Sequence, residues 1–282
     1  MNLKQALSRL LVHVVLCAAV LYAVYPLLWV VAVALARDGI AGASGPWPWP
    51  RTVSISNVVT VLGIPTETTA RFVRQLFNSI AVSLATATTA LILATPAAYA
   101  LARFSFVGRS AGLRTLLMTQ MFPTVASALP LYLLLGKFHL LDSRTGLVLA
   151  YSSTAIPFAV FQLKSAFEAI PLELEEAAMV DGATRFGAFV RIALPAVRPA
   201  LAITGLFAFM SAWNEFILAA TLLSREDAFT LPVVLQRYVG EHSAAWGPFA
   251  AGSLLVSIPV MVVFYLTQKQ LLSGLTAGSV KG

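Results

Sequence analysis

Ile170-Pro171-Leu172-Glu173-Leu174-Glu175-Glu176-Ala177-Ala178-Met179-Val180-Asp181-Gly182-Ala183-Thr184, running on to Ile192-Ala193-Leu194-Pro195, is the stretch on which the fold of this chain turns. Pro171 suits the first turn of a helix. Glu173, Glu175 and Glu176 follow where carboxylates favour the positive end of the helix dipole. Ala177 and Ala178 keep one face thin. Asp181-Gly182 stops the helix and turns the chain. Thr184 then caps a second short helix, which Pro195 ends. The expected product is a helix, a turn and a helix, tethered at both ends to apolar runs. Such a unit can sit in a groove of another protein and pass that partner's motion to the runs it joins. Taken singly, Glu173 and Glu175 read as solvated loop acids; the string as a whole does not.

This segment, about residues 164–198, is the longest polar stretch in a chain of 282 residues that is 59% hydrophobic and only 11% charged. A soluble domain carries about 25% charged residues. The mean hydropathy of +0.83 points the same way. Six apolar runs approach the roughly 20 residues that a span needs: 10–36, 78–101, 113–135, 145–163, 200–223 and 250–266. The first follows Lys4 and Arg9 and ends near Ala34-Leu35-Ala36, but it exceeds the length of a signal h-region and reads as an uncleaved span. The expected fold is therefore all-α and polytopic, one transmembrane domain over residues 1–282.

The net charge of +7 follows from Lys and Arg placed between the runs. No basic run with interleaved aromatics is present, so no nucleic-acid partner is implied. With the N-terminus inside, 11 cations fall inside and 8 outside; the loop Arg103–Arg114 holds three and no acid. Both termini are expected in the cytoplasm.

Other features fit a helical membrane bundle. Ser79, Ala81, Ser83, Ala85, Ala87, Ala90 and Ala94 give the second run a small-residue face that permits close helix approach. Pro26, Pro96, Pro123, Pro130, Pro157 and Pro259 fall inside runs and can kink them. Ala70–Phe77 reads as a short amphipathic helix lying on the membrane before the second span. Trp47 and Trp49, between prolines, read as an extended interfacial anchor, with sugar stacking the alternative. Cys17 is alone, so no intrachain disulfide forms. His13, His139 and His242 stand in no metal-ligand pattern.

Glu176-Ala177-Ala178, Gly182, Ile192 and Leu194-Pro195 resemble the EAA loop of binding-protein-dependent ABC importer permeases. Asn78-Ser79, Pro130-Leu131-Tyr132 and Trp213-Asn214-Glu215-Phe216 are similar to carbohydrate permeases of that group. Gln120-Met121-Phe122-Pro123, Trp246-Gly247-Pro248-Phe249-Ala250-Ala251 and the tail Gly274-Leu275-Thr276-Ala277-Gly278-Ser279-Val280-Lys281-Gly282 resemble the smaller permease of maltose/maltodextrin importers, the MalG type; Ser279 departs from it where glycine is common.

The resemblance implies a type I ABC importer permease fold with six transmembrane helices. It implies a coupling helix at Leu172–Gly182, with Asp181 in the motif, docked on an ATPase. It implies a second permease, a homodimeric ATPase that holds the ATP and Mg, and an external sugar-binding protein touched by the outer loop 224–246. The tail of about residues 271–282, with Leu275, Thr276, Ala277, Gly278 and Lys281, would reach between the ATPase subunits. No cofactor is expected on this chain. It has no GxxxxGK[ST] string, so energy must come from another polypeptide.

Gln120, Gln162, Asn214 and Glu215 lie within apolar runs; interhelical hydrogen bonding is the expected role of the two glutamines, with sugar contact an alternative for Gln120. A carboxylate at the bilayer centre costs about 2.5–3.5 kcal/mol, so Glu215 must meet a partner, a cavity or interfacial water. An ion-coupled secondary transporter would show inverted repeats and midplane ionisable groups; no repeat is evident and Glu215 is the only candidate. A membrane enzyme would need a nucleophile with a base, and His13 has no partner in sequence. Both alternatives leave the Glu176–Pro195 string unexplained.

Overall fold

Helix accounts for all regular structure in the described residues apart from two isolated bridges, Ala36 with Val53 and Val239 with Ala244. The structure, a computed structural model, describes residues 3–43, 45, 47–63, 68–240 and 244–279. The chain groups into two units, one of Met1–Val73 with Val234–Ile258, the other of Arg74–Val233 with Pro259–Gly282.

The first unit holds α1 (Leu3–Leu35), α2 (Ser56–Leu62) and the front half of α13 (Trp246–Ser279). The last carbonyls of α1 have no partner within the helix. The buried Asn57 supplies one: its amide donates to the Ala34 and Ala36 carbonyls at 3.0 and 2.8 Å. Gly247 packs so tightly on Asn57 that a Cβ there would lie 2.6 Å from its side-chain atoms. Trp47 and Trp49 are exposed, but the segment is bent rather than extended: the Trp49 N–H donates to the Trp47 carbonyl at 2.8 Å. Burial raises the pKa of the Tyr238 phenol in the turn after α12 (Leu231–Gln236). His13 bonds the Arg9 carbonyl inside α1, and His242 lies outside the described residues.

The second unit carries the working parts. Its helices are α3 (Thr68–Arg103, entering the unit at Arg74), α4 (Arg109–Met121), α5 (Thr124–Lys137), α6 (Arg144–Glu168), α7 (Glu173–Val180), α8 (Arg185–Ala188), α9 (Leu194–Ala196), α10 (Arg198–Trp213) and α11 (Ile217–Leu222), then the start of α12 (Leu231–Gln236). α6 is the central helix: it packs against α10 and α4, while α5 packs against α11. The small-residue face of α3 is buried at Ser79, Ser83, Ala87, Ala90 and Ala94, with Ala81 and Ala85 half-buried beside it.

Four helical segments are long and apolar enough to cross a membrane: Leu7–Leu35, Arg71–Arg103, Arg144–Glu168 and Trp246–Gln270. Six crossings result only if two bent helix pairs each count as one.

Here the structure corrects the sequence reading. The surface helix expected at Ala70–Phe77 is the first part of α3, continuous with the span. The run 113–135 is broken: α4 and α5 meet at 101°, with Pro123, which has no N–H to continue the ladder, at the corner. The run 200–223 breaks too, at Asn214–Phe216 between α10 and α11. The second helix stops at Ala196, one residue past Pro195, and it is not regular. The chain passes from α8 through a π-helical turn, Phe189–Ala193, into α9, and the bend of 71° falls before α10.

Candidate functional site

The 170–195 string folds as a short helix, a tight turn and a second helix. Three carboxylates occupy the first turn of α7, and Leu172 at its N-cap makes no side-chain cap. α7 stops because Gly182 turns left-handed at φ +93°, a conformation open to glycine. The orphan carbonyls at this end are met by the Gly182 N–H to Met179 (3.1 Å) and the Ala183 N–H to Ala178 (3.0 Å). Thr184 caps α8 as the sequence implies, its hydroxyl accepting from the Gly187 N–H at 3.0 Å. Glu176, Ala177, Asp181 and Gly182 are exposed, Ala178 is half-buried, and Ile192, Leu194 and Pro195 are half-buried where the segment returns to α10. Leu174, Val180 and Phe186 are exposed around them.

Glu175 contradicts its sequence reading. It is not a solvated acid: it is 2% exposed. Its Oε1 accepts from Arg103 Nε at 2.8 Å and its Oε2 from the Tyr99 hydroxyl at 2.6 Å. The signal was present in Tyr99 and Arg103, four residues apart and so on one face at the end of α3.

Gln120, Asn214 and Glu215, distant in sequence, line one open cleft of about 710 Å³ with Phe158, Phe207 and Phe216. The breaks in α4–α5 and α10–α11 place them there. Glu215 is partly buried in the break and caps the next helix: its carboxylate accepts the Leu218 and Ala219 N–H groups at 3.0–3.2 Å, satisfying the start of α11. Asn214 donates to the Met210 carbonyl and Gln120 to the Thr154 carbonyl across the gap between α4 and α6. Phe158 and Phe207 meet edge to face at 6.0 Å. Glu215 is the one ionisable side chain among the described residues lining the cleft. Gln120 also edges a second cleft of about 560 Å³ beside Ser127 and Pro130.

At the other end of α3, the loop that follows α11 is pinned in place. The Asn78 amide donates to the Asp227 and Phe229 carbonyls and its oxygen accepts from Arg144 Nε at 2.9 Å. Ser79 accepts the Leu231 N–H, and Asp142 accepts those of Ser224 and Arg225. In the tail, Leu275, Thr276, Ala277 and Gly278 continue the backbone of α13 and Lys281 lies outside the described residues.

Residues 90–273 match the family model described as the binding-protein-dependent transport system inner membrane component. The chain is 37% identical over 291 residues to the maltose/maltodextrin transport system permease protein MalG of Yersinia pestis, covering 99% of this chain and 95% of that one. It is 38% identical over 207 residues to the sulfoquinovosyl glycerol transport system permease protein SmoH of Agrobacterium fabrum, covering 73% of each. Among solved structures, a chain of a bacterial ABC transporter involved in import of the acidic polysaccharide alginate superposes with a TM-score of 0.75 at 25% identity, covering 95% of this chain and 98% of that one.

Proposed function

This chain belongs to the family of binding-protein-dependent transport system inner membrane components, and we propose that it lines half of a sugar-conducting path in a bacterial ATP-driven importer. It is a non-catalytic transport component with the type I importer permease fold. The observation that carries the transport reading is the α7–turn–α8 unit: a short helix with exposed Glu176 and Ala177, wired into the ends of three long helices.

The mechanism follows from its parts. A partner ATPase holds ATP and Mg, and its closure moves α7. α6 and α10, joined to the two ends of the unit, move with it and open the cleft alternately to either side. A second permease supplies the other wall. A binding protein delivers sugar at the pinned loop after α11, and both termini lie in the cytoplasm.

The cleft suits a sugar, with aromatic faces to stack on and amide groups to bond hydroxyls. One carboxylate and no cation among the described residues lining it favour a neutral sugar over an acidic one. Maltose or maltodextrin is the proposed cargo, supported by a match to such a permease over 99% of the chain. Copurification from native membrane, then ATPase and uptake assays with maltose, maltotriose, trehalose and an acidic sugar, tests the reading. Maltodextrin-stimulated ATP hydrolysis is expected. Stimulation by the acidic sugar alone would overturn the cargo, and absence of any ATPase in the complex would overturn the function.

A further inference from the structure

The lever helix α7 has only two covalent tethers, the connector after α6 and the turn at Asp181–Thr184. Neither leads to α3, which lies about 70 residues earlier in the chain. Yet the end of α3 grips the unit at three places. Arg103 and Tyr99 take both oxygens of Glu175, at 2.8 and 2.6 Å. A second Arg103 nitrogen donates to the Ile170 carbonyl in the connector at 3.0 Å. The Tyr99 ring lies 5.4 Å from Phe167 at the end of α6 and 4.5 Å from Phe189 in the π-helical turn. The Arg103 and Glu175 side chains are 9% and 3% exposed.

We propose that Glu175, Arg103 and Tyr99 form a latch that makes α7 and the end of α3 one rigid piece, so that motion imposed on the lever reaches α3 directly. A buried ion pair is poor evidence for stability, because apolar replacements are often neutral or better. What the pair supplies is fixed geometry: a guanidinium and a hydroxyl each hold one carboxylate oxygen in a set direction. Beyond the latch, α3 runs through buried Ala98, Ala94 and Ala90, where close packing hands on a small shift instead of absorbing it. Glu175, Arg103 and Tyr99 are thus positioning residues for coupling, distinct from the exposed Glu176. This inference rests on the reading that α7 meets an ATPase.

The test uses the complete transporter in proteoliposomes and reads ATP hydrolysed per sugar moved, with retention of the ATPase scored in the same preparations. Glu175→Gln is expected to raise that ratio about tenfold, the equivalent of one charge-assisted hydrogen bond, with the ATPase retained. The double variant Glu175→Gln with Arg103→Met, which leaves no unpaired buried charge, is expected to stay raised. A wild-type ratio in the single variant overturns the latch. So does recovery in the double variant, which marks a merely structural pair. Loss of the ATPase from Glu175→Gln alone places Glu175 in the docking surface and also overturns it. If Glu175→Gln fails to accumulate, Tyr99→Phe carries the test: a rise of about threefold supports the latch, and an unchanged ratio overturns it. A wild-type complex without ATPase would sink the underlying reading, an outcome distinct from all of these.

Discussion

Replacing Gly182 by valine tests the turn that, if α7 is the proposed lever, sets its angle. Gly182 sits at φ +93°, and a Cβ built on it meets nothing within 4 Å. The penalty is therefore purely one of backbone conformation. Left-handed geometry costs an L-residue about 1–2 kcal/mol, and a β-branched side chain is at the upper end. At about 2 kcal/mol the native turn falls roughly 30-fold against a relaxed one. Relaxing to negative φ gives up the bonds from the Gly182 and Ala183 N–H groups to Met179 and Ala178. α8 then leaves α7 in a new direction, while the exposed face of α7 is left intact. Gly182→Val is expected to reach the membrane in normal amount and to bind the ATPase, but to move at least about tenfold less sugar per ATP. Gly182→Asn, which tolerates left-handed geometry, is expected to stay near wild type. The assay is uptake and phosphate release measured on the same proteoliposomes. Equal coupling in the valine and asparagine variants would refute the role assigned to this turn.

Gly146→Ala drives a Cβ into the Leu140 backbone carbonyl, which cannot swing aside; a loss of about 1–3 kcal/mol is expected as a lowered melting temperature in detergent, and an unchanged one would contradict the packing at the start of α6. Glu215→Ala leaves the Leu218 and Ala219 N–H groups without their acceptor; a cost of about 1 kcal/mol in stability is expected, together with a raised KM for sugar uptake. Uptake kinetics that do not change would remove Glu215 from the path. Deleting Leu275–Gly282 is expected to weaken ATPase retention without stopping membrane insertion, and full activity of the truncated complex would deny the tail a role.

The apolar runs and the 170–195 string were legible because each is a local pattern: length against bilayer thickness in one case, cap and turn residues in the other. The breaks were not, since a run of apolar residues looks the same straight or bent. Pro123 was visible as a possible kink, but a corner of 101° is fixed by the packing of α5 against α11, a contact distant in sequence. At Asn214–Glu215 the break depends on a carboxylate reaching forward to the Leu218 and Ala219 N–H groups, an option any solvated acid also has. Glu175 was misread because its burial is decided by residues 72 and 76 positions away. The gathering of Gln120, Asn214 and Glu215 on one cleft is likewise tertiary. The amphipathic stretch before the second span was read correctly as helix and wrongly as a separate one, because nothing in a periodicity marks where a helix fails to stop.

The central claim is that this chain moves solute only when a separate nucleotide-hydrolysing subunit pulls on α7. The direct measurement is uphill sugar accumulation in proteoliposomes that hold both permeases and the binding protein, with ATP inside, with and without the ATPase. Accumulation is expected only when the ATPase is present and able to hydrolyse ATP. Accumulation without it, driven by an imposed ion gradient, would contradict the account.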